Sequence, residues 1–182
     1  TRIERLGLRL QRDQHYELVN PDDDPRYREY WMEYLRLGER RGVTPEIAKA
    51  DMRRHTTLIG AMLIHMGAAD AMLCGLLGRY DSHLRFVDLV VGRRAGVQNF
   101  SAMNMVMLPG RTVFICDTYV NFDPTVEQIA ESTVLAAEEI SRFGLTPKVA
   151  LLSHSSFGAG ESATAQKMRA ALALINARAP GI

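Results

Sequence analysis

The stretch that decides the fold runs from Thr112 to Gly160 and reads TVFICDTYVNFDPTVEQIAESTVLAAEEISRFGLTPKVALLSHSSFGAG. It begins with an apolar run at 112–116, and a polar loop leads from there into a helical pattern at 125–143. A second apolar run at 149–152 ends in a loop rich in serine and glycine. Strand, loop, helix and strand in this order predict a βαβ unit, which requires a parallel sheet.

The rest of the chain alternates in the same way. Helical patterns cover 26–41, 56–66, 82–91 and 163–177, and Thr44 with Pro45 begins another helix. Further apolar runs that indicate strands cover 14–19, 68–75 and 103–107. The turn residues Pro109 and Gly110 predict a hairpin between 103–107 and the run at 112–116. About six strands alternating with about six helices place the chain in the α/β class.

Composition excludes several classes of function. The chain has 182 residues, of which 22 are basic and 21 acidic, so it carries no charge field suited to nucleic acid or to a membrane surface. The apolar windows are too short to span a bilayer. The two cysteines, Cys74 and Cys116, lie within apolar runs. They are expected to be buried, reduced and not bonded to each other, as in a cytoplasmic protein.

Polar residues follow both strands of the βαβ unit. Asp117 and Asn121 follow the first strand, and the loop 153–160 follows the second. Since ligands bind beyond the carboxyl ends of parallel strands, the two loops are expected at one rim of the sheet. The loop 153–160 can cradle phosphate or another anion. Asp117 is either a ligand-orienting carboxylate or base, or a contact within its own turn. Neither a metal site nor a Walker loop is predicted.

At these loops the sequence resembles the phosphate acetyltransferase (phosphotransacetylase) family. The matching stretches are Gly67–Gly75, His83–Phe86, Cys116–Thr125 and Lys148–Gly158, and their order and spacing fit from about residue 44 to 176. Near the N-terminus, Pro25–Trp31 and Arg40–Pro45 are similar to the carboxy-terminal domain of bacterial NADP-dependent malic enzymes.

The resemblance implies a fold and a set of ligand-binding residues. The expected fold is a three-layer α/β/α sandwich with a mainly parallel sheet and two lobes, like that of isocitrate and isopropylmalate dehydrogenases. Residues 1–182 are expected to form a partial phosphate acetyltransferase-like domain, incomplete at both ends. The expected ligand is acetyl-CoA or CoA, in a cleft between the lobes. The residues that the match assigns to the ligand, together with those of the loop after the first strand, are Arg85, Asp117, Asn121, Ser153, Ser155, Ser156 and Gly158.

Two departures from the family affect the expected activity. By the resemblance, 1–182 stops before the family's later segment, which carries a serine–arginine pair and an aspartate, and Ser156 and Phe157 replace a threonine and a lysine. Catalytic residues therefore stay unassigned, and this stretch alone is expected to be inactive.

Three functions are compatible with this pattern. The first is an acetyl-CoA-binding regulatory domain of an NADP-dependent malic enzyme, which decarboxylates malate oxidatively and holds NADP and a divalent metal in a domain outside this chain. The second is a phosphate acetyltransferase, and the third is a dimerisation module without ligand. A homodimer or higher homo-oligomer is expected in each case.

Overall fold

The computed structural model describes residues 2–75 and 77–182. The chain falls into two units, Thr1–Gly92 and Arg93–Ile182. The first unit is helical, and the second combines a hairpin of two strands with two long helices.

Five helices form the described part of the first unit. They are α1 (Arg2–Arg5), α2 (Tyr27–Gly38, continued by a 3₁₀ turn at Glu39–Arg41), α3 (Pro45–Arg54), α4 (Thr56–His65) and α5 (Tyr80–Val90). The predicted start of α3 is confirmed, because the Thr44 side chain accepts a hydrogen bond from the N–H of Ile47 and Pro45 occupies the first helical position. Gly42, with φ of 84°, ends the preceding turn in the left-handed conformation that glycine adopts without strain.

The core of the first unit lies among helices α2 to α5. Its fully buried large side chains are Met52, Leu58 and Met62, each of which stabilises the fold by roughly 1.5–3 kcal/mol. The other buried core residues are Tyr30, Tyr34, Ala48, Ile59, Ala61, Phe86 and Val90. Gly60 has a specific role here, since a Cβ at this position would stand 2.5 Å from the sulfur of Met72. A side chain at position 60 would therefore require the flexible end of Met72 to shift.

The second unit contains strands β1 (Met103–Leu108) and β2 (Arg111–Cys116) and helices α6 (Val126–Arg142) and α7 (Ala163–Arg178). The predicted hairpin is confirmed, with Met105 paired to Phe114 in an antiparallel register. Helix α6 begins in a capping box, in which the Thr125 hydroxyl accepts from the N–H of Gln128 and the Gln128 side chain accepts from the N–H of Thr125.

Small residues let the two long helices of the second unit approach closely. The buried side chains on α6 and α7 include the alanines at 130, 137, 165 and 171, together with Ile129 and Ile175. The hairpin packs on α6, where the rings of Phe114 and Phe143 lie 5.9 Å apart. Helix α6 thus forms the centre of this unit.

The mainly parallel sheet is not confirmed. Within residues 2–75 and 77–182 the only sheet is the antiparallel pair β1–β2, so the layered dehydrogenase-like arrangement finds no support. The segments 68–75 and 149–152, expected as strands, have no strand partner among the described residues, and 14–19 contributes only an isolated bridge between Arg12 and Tyr16. An apolar run forms a strand only where a neighbouring strand accepts its backbone hydrogen bonds, and this part of the chain supplies none.

The expected burial of the two cysteines is wrong. Cys74 and Cys116 are both free, as expected, but both are exposed. Cys74 lies in the unpaired segment 68–75, and Cys116 ends β2 in a sheet of only two strands. Burial of an apolar run requires elements on both of its faces, and these two runs lack them.

Candidate functional site

The loop after β2 is organised around the carboxylate of Asp117. Its Oδ1 accepts hydrogen bonds from the N–H groups of Ala102 at 2.8 Å, Val120 at 3.3 Å and Tyr119 at 3.4 Å. Its Oδ2 accepts from the N–H of Asn121 at 2.8 Å and from the Nδ2 of Asn121 at 2.6 Å. Both oxygens are therefore engaged by the residue's own loop and by the segment before β1.

These contacts set the ionisation of Asp117. Partial burial raises the pKa of this carboxyl, but the hydrogen bonds from Ala102 and Asn121 outweigh it, and the pKa lies below its ordinary value of 3.8. The carboxylate is thus ionised at neutral pH and is a poor proton acceptor. Of the two interpretations left open by the sequence, the geometry favours the contact within the turn.

Asn121 connects this loop to the preceding segment. Its Nδ2 donates to the carbonyl oxygen of Phe100 at 2.8 Å as well as to Asp117. Asp117 and Asn121 therefore act together, and their common effect is to hold the loop against residues 100–102.

The second candidate loop runs from Ser153 to Gly160 and contains a 3₁₀ turn at Ser156–Gly158. The Oγ of Ser155 accepts from the N–H of Gly160 at 2.6 Å, which closes the loop on itself. Ser153 and Gly158 are half-buried, as is Ser155, whereas Ser156 is exposed. Three of the four expected ligand residues, Ser155, Ser156 and Gly158, therefore lie within one short, closed turn, and Ser153 lies just before it.

Phe157 stands out at the tip of this loop. Its backbone has φ of 50° and ψ of 30°, a left-handed conformation that residues with a Cβ rarely adopt, and its side chain is fully exposed. An exposed phenylalanine in such a conformation requires that the surrounding loop be held firmly.

The residue that holds the loop is Arg169, which the sequence analysis missed. From helix α7, its Nη1 donates to the carbonyl oxygens of Gly158 and Gly160, both at 2.6 Å. Its Nη2 lies 3.6 Å from a carboxylate oxygen of Glu161. The one available signal was a basic residue in the first half of the helix that follows the loop.

Arg85 belongs to the first unit, whereas the other six candidates belong to the second. Helix α5 begins at Tyr80, two residues before the predicted start, so Arg85 lies in its second turn. The side chain is exposed, and its guanidinium lies over the buried ring of Phe86, 4.8 Å from the ring centre. That stacking leaves the N–H edge of the guanidinium open to a ligand. A cleft shared with the loop 153–160 stays a prediction.

His83 fixes the start of α5. Its Nε2 lies 2.8 Å from the carbonyl oxygen of Leu77, and its Nδ1 lies 2.6 Å from the hydroxyl of Thr57. Because a carbonyl can only accept, Nε2 donates to Leu77, and the second ring nitrogen pairs with the Thr57 hydroxyl, which can either donate or accept. Both ring nitrogens are thus engaged within the unit.

Neither a metal-binding cluster nor a membrane-spanning helix is found among the described residues. Across 2–75 and 77–182, no group of three or more histidine, cysteine, aspartate or glutamate side chains is arranged to hold a metal ion. Over the same residues, no helix has the length and apolar character needed to cross a membrane.

Comparison with known proteins gives a consistent result. The family model described as "Phosphate acetyl/butaryl transferase" matches residues 1–182. The chain is 49% identical to the NAD-dependent malic enzyme of Rhizobium meliloti over 182 residues, covering 100% of this chain and 24% of that protein. It is 48% identical to the NADP-dependent malic enzyme of Escherichia coli over 179 residues, covering 98% and 24%. It is 32% identical to the phosphate acetyltransferase of Synechocystis over 165 residues, covering 91% and 24%.

Solved structures give the same result for the fold. A phosphotransacetylase from Streptococcus pyogenes superposes with a TM-score of 0.83 at 26% identity, covering 99% of this chain and 54% of that one. The EutD phosphotransacetylase from Staphylococcus aureus superposes with a TM-score of 0.80 at 24% identity, covering 98% and 52%. The chain thus spans about a quarter of the curated relatives and about half of the solved ones.

Proposed function

The chain belongs to the phosphate acetyl/butaryl transferase family, and from this premise we propose that it is the acetyl-CoA-binding regulatory domain of a cytoplasmic malic enzyme. In this proposal the full-length protein decarboxylates malate oxidatively with NADP or NAD, and the nicotinamide cofactor and a divalent metal bind outside this chain. Acetyl-CoA, or CoA itself, binds the present domain and changes the rate of that reaction.

One observation carries the choice among family members. Identity to the malic enzymes is 48–49% over nearly the whole chain, against 32% to the phosphate acetyltransferase of Synechocystis. The two kinds of protein share the domain, and the higher identity to the malic enzymes supports the first candidate. A phosphate acetyltransferase is therefore the second candidate.

The chemistry of the ligand fits the candidate residues. Acetyl-CoA carries a diphosphate and a 3′-phosphate, so its site requires fixed hydrogen-bond donors and positive charge. Arg85 supplies an exposed guanidinium suited to phosphate or to a carbonyl oxygen. Ser155, Ser156 and Gly158, in the closed turn, and Ser153, just before it, receive another part of the ligand, with Ser156 exposed. Asp117 and Asn121 contribute by fixing the conformation of the loop after β2.

The proposal extends to the sheet and to assembly. The apolar segments 68–75 and 149–152 become strands of a mainly parallel sheet once further strands lie beside them in the full-length protein. The hairpin also exposes apolar side chains such as Met107 and Ile115. Surfaces of this kind are typical of chains that associate, and a homodimer or higher homo-oligomer is the expected state.

Calorimetric titration of acetyl-CoA into the full-length protein tests the ligand. Loss of one charged hydrogen bond costs roughly 1.5–3 kcal/mol, so Arg85→Ala should weaken binding by about one to two decades. Arg28→Ala, which removes an exposed arginine from α2, is the matched control and should bind like the parent. If Arg85→Ala binds like the parent, the assignment of Arg85 to the site is wrong.

The same preparations separate the three functions. Formation of acetyl phosphate from acetyl-CoA and phosphate would favour the phosphate acetyltransferase, and we expect none. Absence of acetyl-CoA binding by the parent would favour the dimerisation module.

A further inference from the structure

Two side chains of helix α7, two residues apart, contact the two candidate loops of the second unit. Lys167 lies 2.5 Å from the carboxylate of Asp123, in the loop after β2, and Arg169 binds the two carbonyls of the loop 153–160. The two anchors are two residues apart, about 3 Å along the helix axis. The same turn of α7 therefore contacts both loops, the loop after β2 through an exposed surface pair and the loop 153–160 through its backbone carbonyls.

The contacts of Arg169 are specific to its position. A single nitrogen, Nη1, uses its two hydrogens for two carbonyl oxygens, those of Gly158 and Gly160. These carbonyls flank Ala159, whose N–H donates to the carbonyl oxygen of Ser156 at 3.1 Å. Together with the bond from the Gly160 N–H to Ser155, this closes the turn at both ends.

The turn that results carries consecutive residues in left-handed conformations. Phe157 has φ of 50° and Gly158 has φ of 74°. Phe157 gains nothing from burial there, because its side chain is fully exposed. The conformation is therefore imposed from outside the tip of the loop, and the contacts that impose it are those of Arg169 and Ser155.

We propose that Arg169 is a positioning residue that holds the loop Ser153–Gly160 in the conformation that binds the CoA ester. Its Nη1 is occupied by the loop's own carbonyls, so the role assigned to it acts through the loop. This inference rests on the proposed function for the identity of the ligand. The holding of the loop itself is independent of that identity.

The test combines two measurements on the full-length protein, with variants Arg169→Ala and Arg169→Lys. Hydrogen–deuterium exchange of peptides covering 153–160 reports the loop, and calorimetry reports acetyl-CoA affinity. In Arg169→Ala we expect about tenfold faster exchange and about tenfold weaker binding at an unchanged thermal midpoint. Arg169→Lys keeps a cationic donor and should lie between Ala and the parent in both. Arg142→Ala is the control, since Arg142 pairs with Glu139 on its own helix.

Each outcome decides a separate point. Exchange in Arg169→Ala at the parent's rate overturns the inference, whether or not acetyl-CoA binds. Faster exchange with undiminished affinity also overturns it, because the loop then opens without consequence for the ligand. Faster exchange in the variant, together with no acetyl-CoA binding by the parent, supports the holding of the loop and overturns the proposed ligand. If Arg169→Ala does not fold, Arg169→Lys decides by the same two readings.

Discussion

Replacing Asp117 by asparagine tests whether its carboxylate holds the loop after β2. The change keeps the size of the side chain but leaves one acceptor oxygen where there were two. In the parent, the Oδ2 of Asp117 accepts hydrogen bonds from two donors of Asn121, at 2.8 and 2.6 Å. An amide NH₂ in its place faces those donors and cannot accept from either.

The magnitude follows from these contacts. Hydrogen bonds to a charged group contribute about 1.5–3 kcal/mol each, and partial exposure of Asp117 reduces that value. We expect Asp117→Asn to lower the free energy of local opening by about 2–4 kcal/mol, which corresponds to roughly 30-fold to 1,000-fold faster amide exchange. The most affected amides should be those that bind the carboxylate directly, at Ala102, Val120 and Asn121.

Native-state hydrogen exchange of the full-length protein is the assay. Asp123→Asn is the matched control, because Asp123 is an exposed carboxylate in a surface pair with Lys167, and such pairs contribute about 0–1 kcal/mol. Exchange in Asp117→Asn within a few-fold of the parent's rate would refute the reasoning, since the carboxylate would then not hold the loop.

The same residue predicts a dependence on pH. The folded-state pKa of Asp117 lies below the ordinary value of 3.8, so the unfolded chain takes up the proton first as the pH falls. Its contribution to stability is present above about pH 3.8 and is lost as the pH falls through the folded-state pKa. The difference in the free energy of local opening between the parent and Asp117→Asn should therefore shrink as the pH falls. It is obtained from amide exchange rates corrected for the intrinsic exchange rate at each pH.

Three further predictions concern the helices. Burial and the hydrogen bond to Asp51 raise the pKa of Tyr34 to about 12. Absorbance titration should leave this phenol protonated at pH 11, and Tyr34→Phe should cost about 1–2 kcal/mol in urea unfolding. The hydrogen bonds from Arg36 lower the pKa of Glu33 from 4.5 to about 2. The stability it contributes is present above pH 4.5 and lost towards pH 2, and unfolding of Glu33→Gln should lack that acid dependence. Thr125→Ala should destabilise the start of α6 by about 1 kcal/mol, visible as faster exchange in its first turn.

The local elements of this chain were predictable because their signals are local. Thr44 with Pro45 is a capping pattern whose donor and acceptor lie within four residues, and it occurs as expected. The capping box of Thr125 and Gln128, found in the structure, is equally local. The hairpin at Pro109 and Gly110 follows from turn chemistry in the same way.

The sheet was not predictable to the same degree. The runs at 68–75 and 149–152 have the composition of buried strands, but pairing depends on where other strands lie, and the described residues contain no partners for them. The exposure of Cys74 and Cys116 has the same cause. An apolar run in the sequence indicates that its burial is favourable, but it does not show which element covers it.

The candidate site divides along similar lines. The sequence placed Asp117 at a loop but could not decide between a ligand contact and a turn contact, because the deciding donors are backbone groups at 102, 120 and 121. Arg169 was missed because its partners are the carbonyls of Gly158 and Gly160, and a contact between a side chain and the backbone leaves no paired residue types in the sequence.

The most direct test of the proposed function is the rate of malate-dependent reduction of NADP or NAD by the full-length protein, measured against acetyl-CoA concentration. The account predicts that the rate changes with acetyl-CoA, that the midpoint of the change matches the calorimetric Kd, and that Arg85→Ala shifts both to the same extent. A malate oxidation rate that stays constant up to concentrations saturating the calorimetric site would contradict the regulatory role.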